Sequence, residues 1–580
     1  MPGDIHYEVF FKKNRKAGWA LAEAHDSRDA ALKLAHTLLA KNKDGSARVS
    51  KETFCHDARK FRSMTVFEGG AETYGAIEER TNEAQLPCLT PDDLSKPHAR
   101  HTIKRVLTGW LERMQALPME LLHRADLVES LEASGTELQH AVQKVAVASA
   151  RDQDANVQTL VKQLNELVQK ALGRIYKDAR DAKLPEYPRK AKFADIANGI
   201  FSGDKRAYTL RAAMADRLRH ERKYGDKLEA LLDMADTLPE AEDARAFALG
   251  EVDSYVSEVI SFDAGREALL GKCKDLGETI ERLTCLFDGD GKADALRMAP
   301  NCARRLAKWT HSREFDSCRA VIAQCLLKEL ERPARLRPTS VREEVRLARD
   351  LASRLVISSD SLLPVDGLIK TFAARSARLL QPEVIDELLK HSADIDEEVS
   401  RLLMLEENLV GEANKSKLAG YVRATIGSSE ADGYYIRGGA QPLERLARLA
   451  AHQKKVLKGT YPKDAKQELS AKFDELGVKI IDQSKILNMV EAGDRPALDK
   501  ASALLRLATG GALPLGRCST DAQARALRQI KSAAGLSEAQ TEDGRPKLKA
   551  IHGLLQQLAT QTGKAASHEP ASKARYARLE

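Results

Sequence analysis

The chain has 580 residues, of which 43% are hydrophobic and 31% charged, a composition that predicts a well-buried globular protein of several domains and excludes an intrinsically disordered one. The net charge of +7 is uneven, because residues 1–70 carry +4 and residues 501–580 carry +6, which leaves −3 for the residues between them. A slightly acidic body excludes a broad cationic face for nucleic acid there, so a polyanion contact is expected only at the two ends.

The first 70 residues predict a small α+β module. Tyr7 and Val9 alternate with polar neighbours at the period of a half-buried strand, and the pattern resumes at Trp19. A helix follows, with Asp26 expected as its N-cap. Two further strands are predicted at 49–55 and 61–67, and polar turns at 14–18 and 56–60. The expected order is β-β-α-β-β.

The rest of the chain predicts helices almost throughout, interrupted by proline and glycine. The expected fold class is therefore mainly α, with the small module in front of a large multi-helix body that contains one long helix and a C-terminal helical bundle. The predicted boundaries are a linker at 71–97, helical domains at 98–236 and 237–426, a Gly-rich linker at 427–441, a C-terminal bundle at 442–562 and a mobile tail at 563–580.

The long helix is predicted over residues 136–183, which contain no proline and one glycine. Its apolar residues recur at alternating intervals of four and three, the pattern of a coiled-coil seam. The seam fits a neighbouring helix of the same chain, as in an antiparallel bundle, or a homodimer. Its members are Val157, Val161, Leu164, Val168, Ala171 and Ile175.

Two Glu-x-x-His pairs, Glu120 with His123 and Glu137 with His140, have the spacing of di-iron ligands on one helix face. No paired glutamates complete such a ligand set, so no metal is predicted. Five cysteines lie close together in sequence near His311, without the C-x-x-C pair that zinc normally uses. Buried apolar cysteines are the main interpretation, with a metal or redox site as the alternative for Cys273, Cys285, Cys302, Cys318 and Cys325.

Three further motifs have a simple structural interpretation. The Asp288 to Gly291 run lacks the later ligands of a calcium loop and predicts a turn. The glycines at 433–439, with Arg437, lack the phosphate-loop order and predict a flexible linker. His452 has the His-x-x-Lys spacing of a phosphoryl-carrying helix, although an ordinary exposed histidine is the main interpretation.

The start of the chain has no apolar core of a signal peptide, and no stretch of 18 apolar residues occurs. We therefore expect a cytoplasmic protein without a membrane span. The 8 cysteines are widely spaced, as is typical of reduced thiols.

No catalytic, cofactor-binding or metal-binding residues are predicted, and no cofactor. The function expected is a non-enzymatic cytoplasmic helical scaffold or signalling adaptor that binds partner proteins through its terminal modules. One alternative is association with nucleic acid through the basic ends, with stacking on Phe10 or Phe54. Another is phosphotransfer through His452. The densest basic run consists of Lys12, Lys13, Arg15 and Lys16.

Overall fold

The computed structural model describes residues 5–13, 19–42, 45–55, 60–70, 88–153 and 156–567. It confirms the mainly α fold with a small N-terminal sheet. The chain divides into two compact units. The first comprises Met1–Val106 and Gln139–Ala171, and the second comprises Leu107–Leu138 and Leu172–Glu580.

The N-terminal module has the predicted β-β-α-β-β order. Its four strands form one antiparallel sheet in the order β2-β1-β3-β4, so that β2 and β4 are the edges. This order puts the two long hairpin strands side by side and leaves β2 paired on one side only. The elements are β1 (Ile5–Lys12), β2 (Ala20–His25), α1 (Arg28–Lys41), β3 (Ser46–Cys55) and β4 (Lys60–Gly70).

Helix α1 packs on one face of the sheet. Ala31 and Ala35 of the helix are fully buried against Val9, Ala47 and Val49 of the two central strands, because small side chains on the helix allow its close approach. The helix begins one residue later than predicted: Ser27, not Asp26, is its N-cap. The predicted turn at 14–18 and residues 56–59 of the predicted loop lie outside the described residues.

The helical body begins at Pro97, after a short 3-10 turn at Asp93–Ser95. Residues 71–87 of the predicted linker lie outside the described residues. The helices of its first part are α2 (Pro97–Met114), α3 (Pro118–Leu121), α4 (Ala125–Ala133), α5 (Glu137–Gln153), α6 (Val157–Arg180), α7 (Phe193–Phe201), α8 (Arg206–Leu218), α9 (Tyr224–Asp236), α10 (Glu242–Ser261), α11 (Asp263–Leu270), α12 (Leu276–Asp288), α13 (Asn301–His311) and α14 (Asp316–Glu331).

The helical body continues with thirteen further helices in the described residues. They are α15 (Val341–Ile357), α16 (Val365–Leu379), α17 (Pro382–Leu389), α18 (Ile395–Leu405), α19 (Glu412–Ile426), α20 (Ser429–Ala431), α21 (Pro442–Lys458), α22 (Lys463–Ser484), α23 (Ile486–Ala492), α24 (Ala497–Thr509), α25 (Arg517–Lys531), α26 (Ala533–Ala539) and α27 (Gly544–Ser567). Helix α27 continues beyond the predicted end of the bundle at 562, and residues 568–580 of the predicted tail lie outside the described residues.

The helix predicted over 136–183 is divided into α5 and α6. Asn156 lies outside both helices, and its Oδ1 accepts hydrogen bonds from the backbone N–H groups of Gln158, at 2.8 Å, and Thr159, at 3.3 Å. These are N-cap bonds, which satisfy donors that a helix start leaves without a partner. A capping side chain at Asn156 thus begins a new helix where composition alone allowed continuation.

The apolar seam of α6 is graded along the helix. Val157 is 38% exposed, Val161, Leu164 and Val168 are half-buried, and Ile175 is 1% exposed. The C-terminal part of the seam is therefore covered within the chain. A coiled-coil partner for the N-terminal part remains a prediction.

The segment predicted as a Gly-rich linker, 427–441, does not separate two cores. It contains α20 and a π-helical turn at Asp432–Ile436, and Tyr435 in that turn is fully buried. One hydrophobic core runs from Leu379 to Leu558 and includes Tyr435. The glycines permit close backbone packing here, since a Cβ at Gly438 would meet the carbonyl oxygen of Tyr434 at 2.1 Å.

None of the helices in the described parts of the chain is both long and apolar enough to cross a bilayer.

Candidate functional site

The first Glu-x-x-His pair forms a buried ion-pair centre in the second unit. Glu120 is 0% exposed and accepts bonds from the Nζ of Lys227 and from Nη1 of Arg124, the latter at 2.8 Å. His123 does not join them as a ligand, because its Nδ1 lies 2.7 Å from the backbone oxygen of Met119. This centre stabilises helix packing and offers no open coordination position.

The second pair is also without a metal-binding arrangement. Glu137 forms an ion pair with Arg113, and both side chains are at least one-third exposed. Within the described ranges, no group of three or more histidine, cysteine or acidic side chains is placed to hold a metal ion.

Of the five cysteines near His311, three are buried packing residues, whereas Cys273 and Cys325 are half-buried. Cys285, Cys302 and Cys318 are buried, and burial raises the pKa of Cys285 and of Cys302 to about 11, which keeps both thiols protonated at neutral pH. Cys318 lies at the start of α14, where its backbone N–H donates to Oδ1 of Asp253 at 2.9 Å. A protonated, buried thiol is a poor nucleophile and a poor metal ligand.

The Asp288 to Gly291 run is the predicted turn. Gly289 ends α12 with a φ of +76°, and a Cβ there would lie 2.4 Å from the Cα of His311. Asp288 binds the guanidinium of Arg354 through both carboxylate oxygens, at 2.5 and 2.9 Å. The carboxylates of this turn therefore hold an arginine and connect α12 to α15.

His452, predicted to be an exposed residue, is only 5% exposed. Its Nε2 lies 2.7 Å from Oδ1 of Asp396, which also accepts the Tyr435 hydroxyl at 2.7 Å. Its Nδ1 is buried and has no hydrogen-bond partner among the described residues. This burial, with the Asp396 carboxylate at Nε2, disfavours the approach of a phosphoryl donor and argues against phosphotransfer through His452.

Asp396 makes the stability of this region dependent on pH. Burial opposes its ionisation, but hydrogen bonds from His452 and Tyr435 outweigh that effect and hold the pKa of Asp396 below its ordinary value. A carboxylate with a lowered pKa contributes stability that is complete above its unfolded pKa, about 4, and is lost as the pH falls through the folded pKa.

We therefore expect Asp396→Asn to be less stable than the parent chain at pH 7 and to lose less of its stability between about pH 4 and pH 2. Urea unfolding at a series of pH values measures both effects. Parallel pH profiles for the two proteins would contradict this role of Asp396.

The glycine-rich segment with Arg437 is not a phosphate-binding loop. Arg437 is exposed, whereas the backbone carbonyls of Tyr435 and Ile436 are bound by the buried Arg445. The segment thus turns the chain between α19 and α21, and the hydrogen bonds from Arg445 stabilise that turn.

The best candidate surface is the edge strand β2 of the N-terminal module. Residues 20–24 are all exposed, and Leu21 is exposed to 54%. The strand pairs with β1 on one side, and it is the end strand of the described sheet. Its sequence, ALAEAH, contains one residue with full charge at neutral pH, Glu23. An edge strand presents a row of backbone N–H and C=O groups that can pair with another chain.

Edge strands are usually protected by charged residues, and the sequence of β4 contains several. Lys60, Arg62 and Glu68 are spread along β4, the opposite edge of the sheet. Strand β2 has no lysine, arginine or proline. The contrast marks β2 as the edge that is open to pairing.

The face of the sheet away from α1 carries an aromatic and basic group. Phe10 pairs with Leu21 across β1 and β2 and with Arg48 on the other side, after a bulge at Val9/Phe10. The Arg48 guanidinium stacks on Trp19 at 4.7 Å from the ring centre. This contact links the residue before β2 to β3 across the intervening strand β1.

The basic run beside this face is described only in part. Lys12 ends β1 and Lys13 follows it, exposed, whereas Arg15 and Lys16 lie outside the described residues, as does the side chain of Phe54.

Sequence reasoning placed β2 in the module but not at its edge. Strand order depends on long-range pairing, which alternation along one strand does not encode. The low charge of ALAEAH was the available signal.

No protein-family model, no curated protein and no solved structure matches this chain.

Proposed function

We propose that the protein is a non-enzymatic helical scaffold or signalling adaptor whose N-terminal module binds an extended segment of a partner protein along β2. The single observation that supports this most is the exposure of all five residues from Ala20 to Ala24 on a strand paired on one side only. An extended segment would add a fifth strand to the sheet and satisfy the outer backbone groups of β2.

The chemistry of β2 defines the partner segment. Main-chain hydrogen bonds supply affinity in this mode, and pockets for alternate side chains supply specificity. The alanines of β2 allow close approach of another backbone, while Leu21 offers one apolar contact. We expect a segment of β-branched or small apolar residues, with low net charge and without proline at its centre.

A proline scan of β2 tests the proposal. Peptides selected for binding to the full-length chain from a random display library supply the probe. In an antiparallel edge pair, alternate N–H groups point toward β1 or toward solvent. At an outward position, proline removes one donor and leaves the β1 ladder intact, so affinity for the peptides should fall at least about tenfold in a chain that still folds. The variants are Leu21→Pro, Ala22→Pro, Glu23→Pro and Ala24→Pro.

Leu21→Thr is the matched control, because threonine keeps the backbone donor and the preference for a strand. Its affinity should stay within about threefold of the parent if backbone pairing dominates. Folded proline variants that all bind the peptides as the parent does would refute pairing along β2.

A second copy of the chain could also pair with β2 in place of a partner protein, and this alternative is tested separately. Self-pairing, through β2 or through the exposed part of the α6 seam near Val157, would give a dimer with twice the 63.9 kDa mass of a single chain. We expect a monomer in the absence of a partner. Sedimentation or light scattering measures the mass in solution. A dimer dissociated by the outward prolines would assign β2 to self-association instead.

Nucleic-acid association is a second proposal, supported by Phe10, Trp19 and Arg48 on the open face of the sheet. Binding to phosphates would weaken steeply between low and physiological salt. A gel shift that is undetectable or insensitive to salt would count against it.

We also propose that the protein works in the cytoplasm. Cys318 and Cys518 are buried free thiols, as is typical of proteins from a reducing compartment.

A further inference from the structure

A cleft of about 140 Å³ lies in the second unit, among α15, α16, the start of α17 and the loop that follows α14. Its walls are largely apolar, and its polar side chains come from three arginines, a glutamate and a glutamine. The apolar wall consists of Pro333, Leu336, Ala348, Leu379 and Val384.

The acidic side chain of the cleft is fully engaged. Glu344 is 6% exposed; its Oε2 accepts from Nε of Arg335 at 2.6 Å and its Oε1 from the backbone N–H of Leu336 at 3.1 Å. Arg335 is shared with Glu387, at 2.7 Å. These two carboxylates neutralise the charge of Arg335. The other two arginines of the cleft, Arg375 and Arg378, have different partners.

Among the described residues, the guanidinium groups of Arg375 and Arg378 in α16 donate hydrogen bonds to backbone carbonyls alone. Arg375 donates to the oxygens of Glu329, Arg332 and Ala334 at 3.0 to 3.2 Å. Arg378 donates to Arg332 and Glu331. Both cap the C-terminus of α14, whose partial negative charge attracts cations but amounts to less than one full charge.

Arg375 is a buried cation whose hydrogen bonds in the described part of the chain use three of its five N–H donors. Arg375 is 5% exposed, and its Nε has no hydrogen-bond partner among the described residues. Burial and the neighbouring charge of Arg378 lower the pKa of Arg375 to about 10, which reflects how poorly its charge is compensated. A buried guanidinium gains most from an oxyanion, which accepts hydrogen bonds and supplies opposite charge.

We propose that this cleft binds a small aliphatic monocarboxylate, with the carboxylate at Arg375 and Arg378 and the aliphatic part against the apolar wall. The inference is independent of strand pairing at β2. Arginine matches the planar geometry of a carboxylate, and an apolar cavity of about 150 Å³ holds a ligand of about six non-hydrogen atoms. A second negative charge would be repelled by Glu344, which disfavours phosphate.

Butyrate is the probe, and butyramide, of the same size but neutral, is its control. Titration calorimetry on the full-length chain at low ionic strength should show saturable 1:1 binding of butyrate and none of butyramide or of inorganic phosphate. Equal binding of butyramide, preferential binding of phosphate, or the lack of saturable butyrate binding would overturn the proposal.

Two variants locate the site. Ala348→Leu fills the cleft without changing its charge, and Arg378→Gln removes one half-exposed charge; each should weaken butyrate binding at least about tenfold. Ala374→Leu, at an exposed position of α16, should leave the affinity within about twofold. Arg375 itself is not replaced in this test, because its guanidinium also donates to three backbone carbonyls at and after the C-terminal end of α14. Unchanged butyrate affinity in folded Ala348→Leu would place binding elsewhere and refute this site.

Discussion

Replacing Lys227 by methionine is expected to remove about 3–5 kcal/mol from the free energy of unfolding of the second unit. Lys227 is 2% exposed and binds Glu120, which is 0% exposed. Methionine has nearly the same length but no charge, so the variant would leave the Glu120 carboxylate buried with Arg124 as its remaining cation. The backbone oxygen of Gln115, which Nζ of Lys227 contacts at 2.6 Å, would lose its donor as well.

Lys223→Met is the matched control, because Lys223 is exposed one turn before Lys227. Its effect should stay within about 0.5 kcal/mol. Urea unfolding followed by circular dichroism measures both variants. If the two variants had equal free energies of unfolding, the buried Lys227–Glu120 pair would contribute no more to stability than a buried methionine does.

Replacing Asp474 by alanine is expected to cost about 3 kcal/mol. Asp474 lies in α22 and is 6% exposed. Its two carboxylate oxygens accept the backbone N–H groups of Arg517, at 2.6 Å, and Cys518, at 2.9 Å, at the start of α25. Alanine would leave both donors without their acceptor at a helix N-terminus, where the helix dipole also favours the carboxylate; the N–H of Cys518 is buried.

The same arrangement occurs once more in the second unit. Asp253 of α10 accepts the N–H groups of Ser317, at 2.7 Å, and Cys318, at 2.9 Å, at the start of α14. Asp253→Ala should therefore cost a similar amount. Asp521→Ala is the control, since Asp521 makes a half-buried i,i+4 pair with Arg525, accepts no backbone N–H at the start of α25 among the described residues, and should cost about 0.5 kcal/mol. A loss at Asp474 no larger than at Asp521 would refute the capping role.

The elements that depend on local patterning were predicted well. The β-β-α-β-β order follows from alternation in β1 and from the hairpin spacing of β3 and β4. Local patterning fails where one side chain overrides it. Asn156 caps α6 and divides a helix that composition allowed to continue, and Tyr435 anchors a segment whose glycines suggested a linker.

The chemistry of individual residues depended on partners distant in sequence. His452 is next to Asp396, 56 positions away, and Glu120 is next to Lys227, 107 positions away. Spacing along one helix gives no information about such partners, so His452 was expected at the surface and Glu120 was considered only with His123. The prediction of buried cysteines was confirmed for Cys285, Cys302 and Cys318, whereas Cys273 and Cys325 are half-buried.

The most direct test of the open edge is residue-resolved hydrogen–deuterium exchange on β2, in the full-length chain with and without a selected peptide. Our account predicts that alternate amides of Leu21–Ala24 exchange rapidly in the free chain, because they point away from β1, and become protected when the peptide pairs with them. The other amides should be protected in both samples. Protection of every β2 amide in the free chain, or outward amides that stay rapid with the peptide bound, would contradict the proposal that β2 is the docking strand.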